Sequence, residues 1–197
     1  PDLYEFLWAC KELGLVCNMT MNYWHLETYI ETLNKLISEK LIRGLGISIS
    51  LNSDLSKVSL LEDTSNVVFH IVSGVHPISI LEKVIESPVK KVLILGYKKF
   101  GRGADYYDIE VYQNLEEWHM NIPVYFKQLQ LTFDDLGANQ FNMKQYFSEE
   151  EWSTLFTGFD GQFTMYIDAV NKQYAVSSTG KARFNLNKPI KKIAGHE

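Results

Sequence analysis

The residues Gly96-Tyr97-Lys98-Lys99-Phe100-Gly101-Arg102-Gly103 set three positive charges among glycines, directly after the most apolar run of the chain, 92–95. Glycine-flanked loops can turn several backbone N–H groups toward an anion, and arginine offers a two-pronged donor to carboxylate or phosphate. Lys98, Lys99 and Arg102 are therefore candidates for holding an acidic group of a substrate. The plainer alternative is a solvated basic loop that offsets an acidic surface. It is no nucleotide P-loop, because G-x4-G-K-[ST] is absent. Asp134 and Asp135 are a second constellation: paired carboxylates can exchange a proton or bind a metal, or cap the helix that follows. His70 lies within VVFHIVSG and points away from the face of Phe69 and Ile71. It is either a hydrogen-bonded core histidine or, in a barrel lumen, a group facing a ligand. Gly74 ends the same run, where it lets backbone approach a ligand or simply turns the chain. Polar residues alternate with apolar ones at Asn18, Thr20 and Asn22, and again at Ser48, Ser50 and Asn52.

Several chemistries are missing. No Ser–His–Asp order, nucleophile elbow, H-E-x-x-H or zinc-finger spacing occurs. Cys10 and Cys17 are the two cysteines, too few for a disulfide framework or an all-cysteine cluster within this chain. With 19 Lys+Arg against 24 Asp+Glu the formal charge is −5, which argues against general nucleic-acid binding. No apolar stretch approaches the ~20 residues of a membrane span, and no signal peptide is present, so a cytoplasmic location is the default expectation.

The elements that must position these residues follow a regular order. The stripe Leu3, Phe6, Leu7, Cys10 and Leu13 predicts a helix closed by Gly14, and 15–21 a strand. Leu26, Ile30, Leu33, Ile37 and Leu41 mark a long amphipathic helix. Strands are expected at 44–52, 66–74 and 90–98, separated by helices at 54–63 and 76–87. The continuous apolar character of 67–72 and 92–95 suits strands covered on both faces. This alternation over residues 1–98 predicts one parallel sheet with right-handed crossovers. Beyond it come a helix carrying Val111, Leu115, Trp118 and Ile122, a fifth strand at 128–136, and two short helices in 138–157. The second of these has a capping box, Ser148 with Glu151. A hairpin joins 162–169 to 173–179. The expected organisation is one α/β domain over 1–179, its 99–179 part looser, with a polar, disordered tail at 180–197.

The succession PDLYEFLWACKELGLVCNMTMN, GLGISIS, NVVFHIVSGV and KKVLILGYK resembles the radical S-adenosylmethionine (radical SAM) barrel over residues 1 to about 98. The resemblance implies a partial (βα) barrel of about five parallel strands with flanking helices. It also implies S-adenosylmethionine and a [4Fe–4S] cluster as cofactors, and hydrogen abstraction by a 5′-deoxyadenosyl radical. Asn18, Thr20, Asn22, Ser48, Ser50, His70 and Gly74 would then line the cofactor, with the second strand at its ribose and methionine moiety. Gly96 and Tyr97 would lie beside the adenine, leaving Lys98, Lys99, Arg102, Asp134 and Asp135 for a small-molecule or peptide substrate. The family's C-x3-C-x2-C signature is not in this sequence. Pro1 leads straight into a helix, so the expectation is a fragment whose cluster segment lies upstream, inactive alone; a degenerate relative is the alternative. A homodimer through the strand edge 15–22 is expected to cover what is missing. The rival reading is a non-radical α/β enzyme or binding module that takes an anionic metabolite on loop 96–103.

Overall fold

The computed structural model describes residues 2–156, 162, 164–178 and 180–187, apart from the side chain of Arg102. Helix α1 (Leu3–Glu12) begins where the Asp2 carboxylate accepts the Glu5 N–H. Strand β1 (Asn18–Asn22), helix α2 (Ile30–Ser38) and strand β2 (Gly44–Ser48) follow. Then come a 3-10 turn (Leu55–Leu60), β3 (Val67–Val72), α3 (Ile80–Glu86) and β4 (Lys91–Leu95). Each strand is shorter than its expected span, and Ser50, Asn52, Gly74, Gly96 and Tyr97 lie in the loops beyond the strand ends. Local hydrogen bonds take over there; Ser50 N–H, for example, donates to Ser53 Oγ at 3.0 Å. The long helical stripe also resolves differently. Only its middle is α-helical, yet Leu26 and Leu41 outside the helix are still buried. Burial periodicity survived where backbone helicity did not.

After β4 come a single turn α4 (Arg102–Asp105), α5 (Ile109–Asn121), β5 (Gln130–Phe133) and α6 (Asp135–Gln140). The five strands form one all-parallel sheet in the order β1-β2-β3-β4-β5. In sequential order, right-handed crossovers place every connection on the same side. Burial shows the result. Met21, Ile47, Phe69, Val92 and Leu131 form one transverse row. Ile47, Phe69 and Val92 in it are fully buried under the helices. The next row, Asn22, Ser48, His70, Leu93 and Thr132, faces the other way and is half-buried or exposed. The expectation of strands covered on both faces therefore fails: Val72 is 37% exposed on the open face.

The covered side is tied down by α1, whose Leu7 packs with Leu36, Leu41 and Ile42 and against Cys17 and Met19. At the other end Trp118 of α5 is fully buried, stacks on Phe141, and donates its indole N–H to the His76 carbonyl at 2.8 Å. β1 and β5 each pair on one edge only among the described residues.

The chain divides after Asn142 into two compact units, within the stretch expected to be a loose extension of one domain. In the second unit, α7 (Glu149–Leu155) carries the expected capping box between Ser148 and Glu151. Strands β6 (Tyr166–Asp168) and β7 (Gln173–Ala175) form the expected hairpin, turned by Asp168 accepting the Asn171 N–H at 2.9 Å. β8 (Phe184–Asn185), in the stretch expected to be a disordered tail, pairs with β7; residues 188–197 lie outside the described residues. Among the described residues no helix is long and apolar enough to cross a membrane.

Candidate functional site

Two of the first unit's openings lie along its sheet and differ in character. The upper one lies at the carboxyl ends of β3 and β4, where parallel α/β sheets bind ligands. It is a cleft of about 540 Å³ walled by Val72, Val75, Leu95, Tyr97, Tyr106 and Val111. That volume is within the range of small-molecule sites. Of its polar side chains, Tyr97, Asp108, Asn114 and Asp134 are hydrogen-bonded to backbone groups. Asp134 Oδ1 accepts the Gly96 N–H at 2.9 Å and, as the N-cap of α6, the Gly137 N–H at 2.7 Å. The Gln140 amide brackets Tyr97, accepting its N–H at 2.8 Å and donating to its carbonyl at 2.7 Å. The Tyr97 hydroxyl donates to Gly103 O at 2.7 Å. Asn114 Nδ2 donates to Gly74 O at 2.9 Å.

These bonds take two of the loop's amides out of reach of an anion. The N–H groups of Gly96 and Tyr97 are already used. The glycines are there for packing: a Cβ on Gly96 would meet Leu136 and the Gly137 backbone, and one on Gly74, at φ +81°, would press Leu115 and Val111. Gly103 lies so close to the Lys98 carbonyl that a Cβ has no room. Lys99 does not face the cleft as a free cation; its Nζ bonds the Tyr107 hydroxyl at 2.9 Å and lies 4.3 Å over a tyrosine ring, that of Tyr107 itself. Lys98 remains exposed at the cleft wall. Arg102 opens α4, with its side chain outside the described residues. Asp135 sits in the first turn of α6. The helix-cap reading of this pair thus describes Asp134.

The second opening is on the uncovered sheet face, toward the amino ends of the strands. It is a groove of about 420 Å³ that takes in Asn18, Thr20, Gly46, His70, Lys91 and Thr132. Glycines at 44 and 46 allow neighbours to lie across β2: a Cβ on Gly46 would collide with the His70 ring, and one on Gly44 would come within 2.9 Å of Asn18 Oδ1. Burial lowers the His70 pKa, so the ring is neutral near pH 7 and offers one donor and one acceptor. Asn22 instead caps the turn Tyr23–His25, accepting the Trp24 N–H at 3.0 Å. Ser50 Oγ lies 3.4 Å from Ser53 Oγ. The expected cofactor residues are thus split: Asn18, Thr20 and His70 share the groove, Gly74, Gly96 and Tyr97 share the cleft, and Ser48 sits between Asn22 and His70 in register.

Sequence reasoning missed Gln140 and Asn114, whose partners are 43 and 40 residues away. It also missed Arg43 and Asn66 in the groove. Their one local signal was the Gly-x-Gly at 44–46, because paired strand glycines mark close approach by neighbours. Cys10 is buried and Cys17 half-buried, both free. Burial, then a hydrogen bond between its thiol and Cys10, raises the Cys17 thiol pKa. Among the described residues no three His, Cys, Asp or Glu side chains are placed to hold a metal ion. An iron–sulfur cluster therefore does not fit the residues described here. No family model, curated protein or solved structure matches the chain.

Proposed function

We propose that the first unit is an arc of a radical SAM-type barrel, lending the wall of a cavity that holds S-adenosylmethionine and part of its substrate. The observation that supports this reading is the winding. Five parallel strands run in sequence order, with Ile47, Phe69 and Val92 fully buried on one face and half-buried or exposed residues on the other. Doubly wound sheets reverse their strand order and cover both faces; barrels do not reverse, and turn the second face inward. The single unpaired edges of β1 and β5 are where further strands, or a second copy of the chain across β1, would close such a wall.

In this reading the adenosyl group occupies the upper cleft, against Val72, Val75, Leu95 and Tyr97. S-adenosylmethionine supplies the radical precursor when it is bound beside a reducing cluster, whose ligands must come from elsewhere. The residues of this chain orient the nucleoside and keep water from it. Because the N–H groups of Gly96 and Tyr97 are engaged internally, recognition there rests on apolar contact and on exposed Lys98.

Calorimetric titration of the chain with S-adenosylmethionine and with 5′-deoxyadenosine tests the assignment. Saturable binding of both, lost in Val75→Trp, which fills the cleft from a half-exposed position, is the expected result. No binding of either overturns it.

A further inference from the structure

We infer that the groove on the uncovered sheet face is a binding site for a small oxyanion, a phosphate or carboxylate group, with Arg43 as its principal cation. Four observations converge. The groove takes in two cations, Arg43 and Lys91, and no acidic residue, although the chain as a whole is acidic. Lys91 is held in place by its bond to the Ser65 carbonyl at 2.6 Å, which leaves two ammonium protons for another acceptor. The side chains of Asn18, Thr20, Asn66 and His70, with Arg43, make no hydrogen bond or ion pair with any described residue. Asn18, Thr20, Arg43 and Asn66 are exposed and His70 is half-buried, so all five are open to a ligand and share a single opening. Finally, Gly44 and Gly46 remove side chains from the strand between, so groups from β1 and β3 can reach a common ligand.

The chemistry fits an oxyanion better than a cation or an apolar molecule. Arg43 supplies a fork of N–H donors suited to two oxygens of one group. The amides of Asn18 and Asn66 and the Thr20 hydroxyl add neutral donors, and neutral His70 adds one more without a second fixed charge. An uncompensated cation in an acid-free recess also draws anions in from solution. This site is separate from the upper cleft and does not depend on what that cleft binds.

The test is an NMR titration of the full chain with sodium phosphate and, separately, sodium acetate, at constant ionic strength set with sodium chloride. Saturable shifts of the His70 ring and of the Asn18 and Asn66 side-chain amides are expected with at least one of the two. Arg43→Gln, a change at an exposed position, should weaken that binding at least tenfold, and Thr20→Val severalfold. Lys98→Gln, at the other opening, should leave it unchanged. Saturation by both salts makes the site a general oxyanion site, and by phosphate alone a site for phosphate esters. Shifts that rise linearly without saturating, or that Arg43→Gln leaves unaltered, overturn the inference. Neither result bears on the nucleoside titration, which reads a different set of residues.

Discussion

The two faces of the sheet are made by alternate residues of the same strands, yet they differ in nearly every physical respect. On one, Ile47, Phe69, Ile71, Val92 and Ile94 are sealed beneath helices. On the other, Thr20, Ser48, His70 and Thr132 stand in half-exposed rows with glycines between them. A strand places successive side chains on opposite faces, so Phe69 and His70 are neighbours in sequence and strangers in environment. The difference teaches where stability and recognition reside. Stability comes from the covered face, and the unspent hydrogen-bonding capacity belongs to the open one.

Phe69→Ala breaks the comparison most severely. It removes a fully buried ring and should cost about 3–5 kcal/mol in urea denaturation, whereas His70→Gln one position on should change stability by less than about 0.5 kcal/mol. Equal losses from both would mean that the open face is packed in solution. Gly96→Ala comes next. Its Cβ would enter the Gly137 backbone and Leu136, and about 1–3 kcal/mol of destabilisation is expected, read from the same denaturation midpoint. Asp134→Ala removes the α6 cap and strands the Gly96 N–H, for a loss of about 1–2 kcal/mol by thermal unfolding.

The smallest effect is acid sensitivity. Burial holds the His70 and His76 rings below the usual histidine pKa of about 6.5. Below that value the unfolded chain takes up protons that the folded protein resists. Their contribution is therefore intact above about pH 6.5 and declines as pH falls through the lowered folded values. His70→Gln should flatten part of that decline in urea midpoints measured across the range. An unchanged slope would show that the ring is as well solvated as in the unfolded chain.

Local features read directly. Ser148 with Glu151 and Asp134 before α6 both cap as their spacing indicated, because a cap is satisfied within three residues. Loop 96–103 was less legible for the opposite reason. Its glycines and lysines suggested open amides, but Asp134 and Gln140 reach it from 38 and 43 residues away and occupy those of Gly96 and Tyr97. The oxyanion groove was half visible: Asn18, Thr20 and His70 stood out as polar residues in strands, while Arg43 and Asn66 just before strands did not.

The sequence by itself determined the alternation of helix and strand, the parallel class of the sheet, the caps and the C-terminal hairpin. Each depends on neighbours a few residues apart. Only the tertiary structure decided that one face of the sheet stays open, that the Gly96 and Tyr97 amides are spent internally, and that five unpaired polar side chains meet in one groove. Those outcomes turn on strand order and on partners forty residues distant. Periodicity reports which way a side chain points, and says nothing of what will stand opposite it.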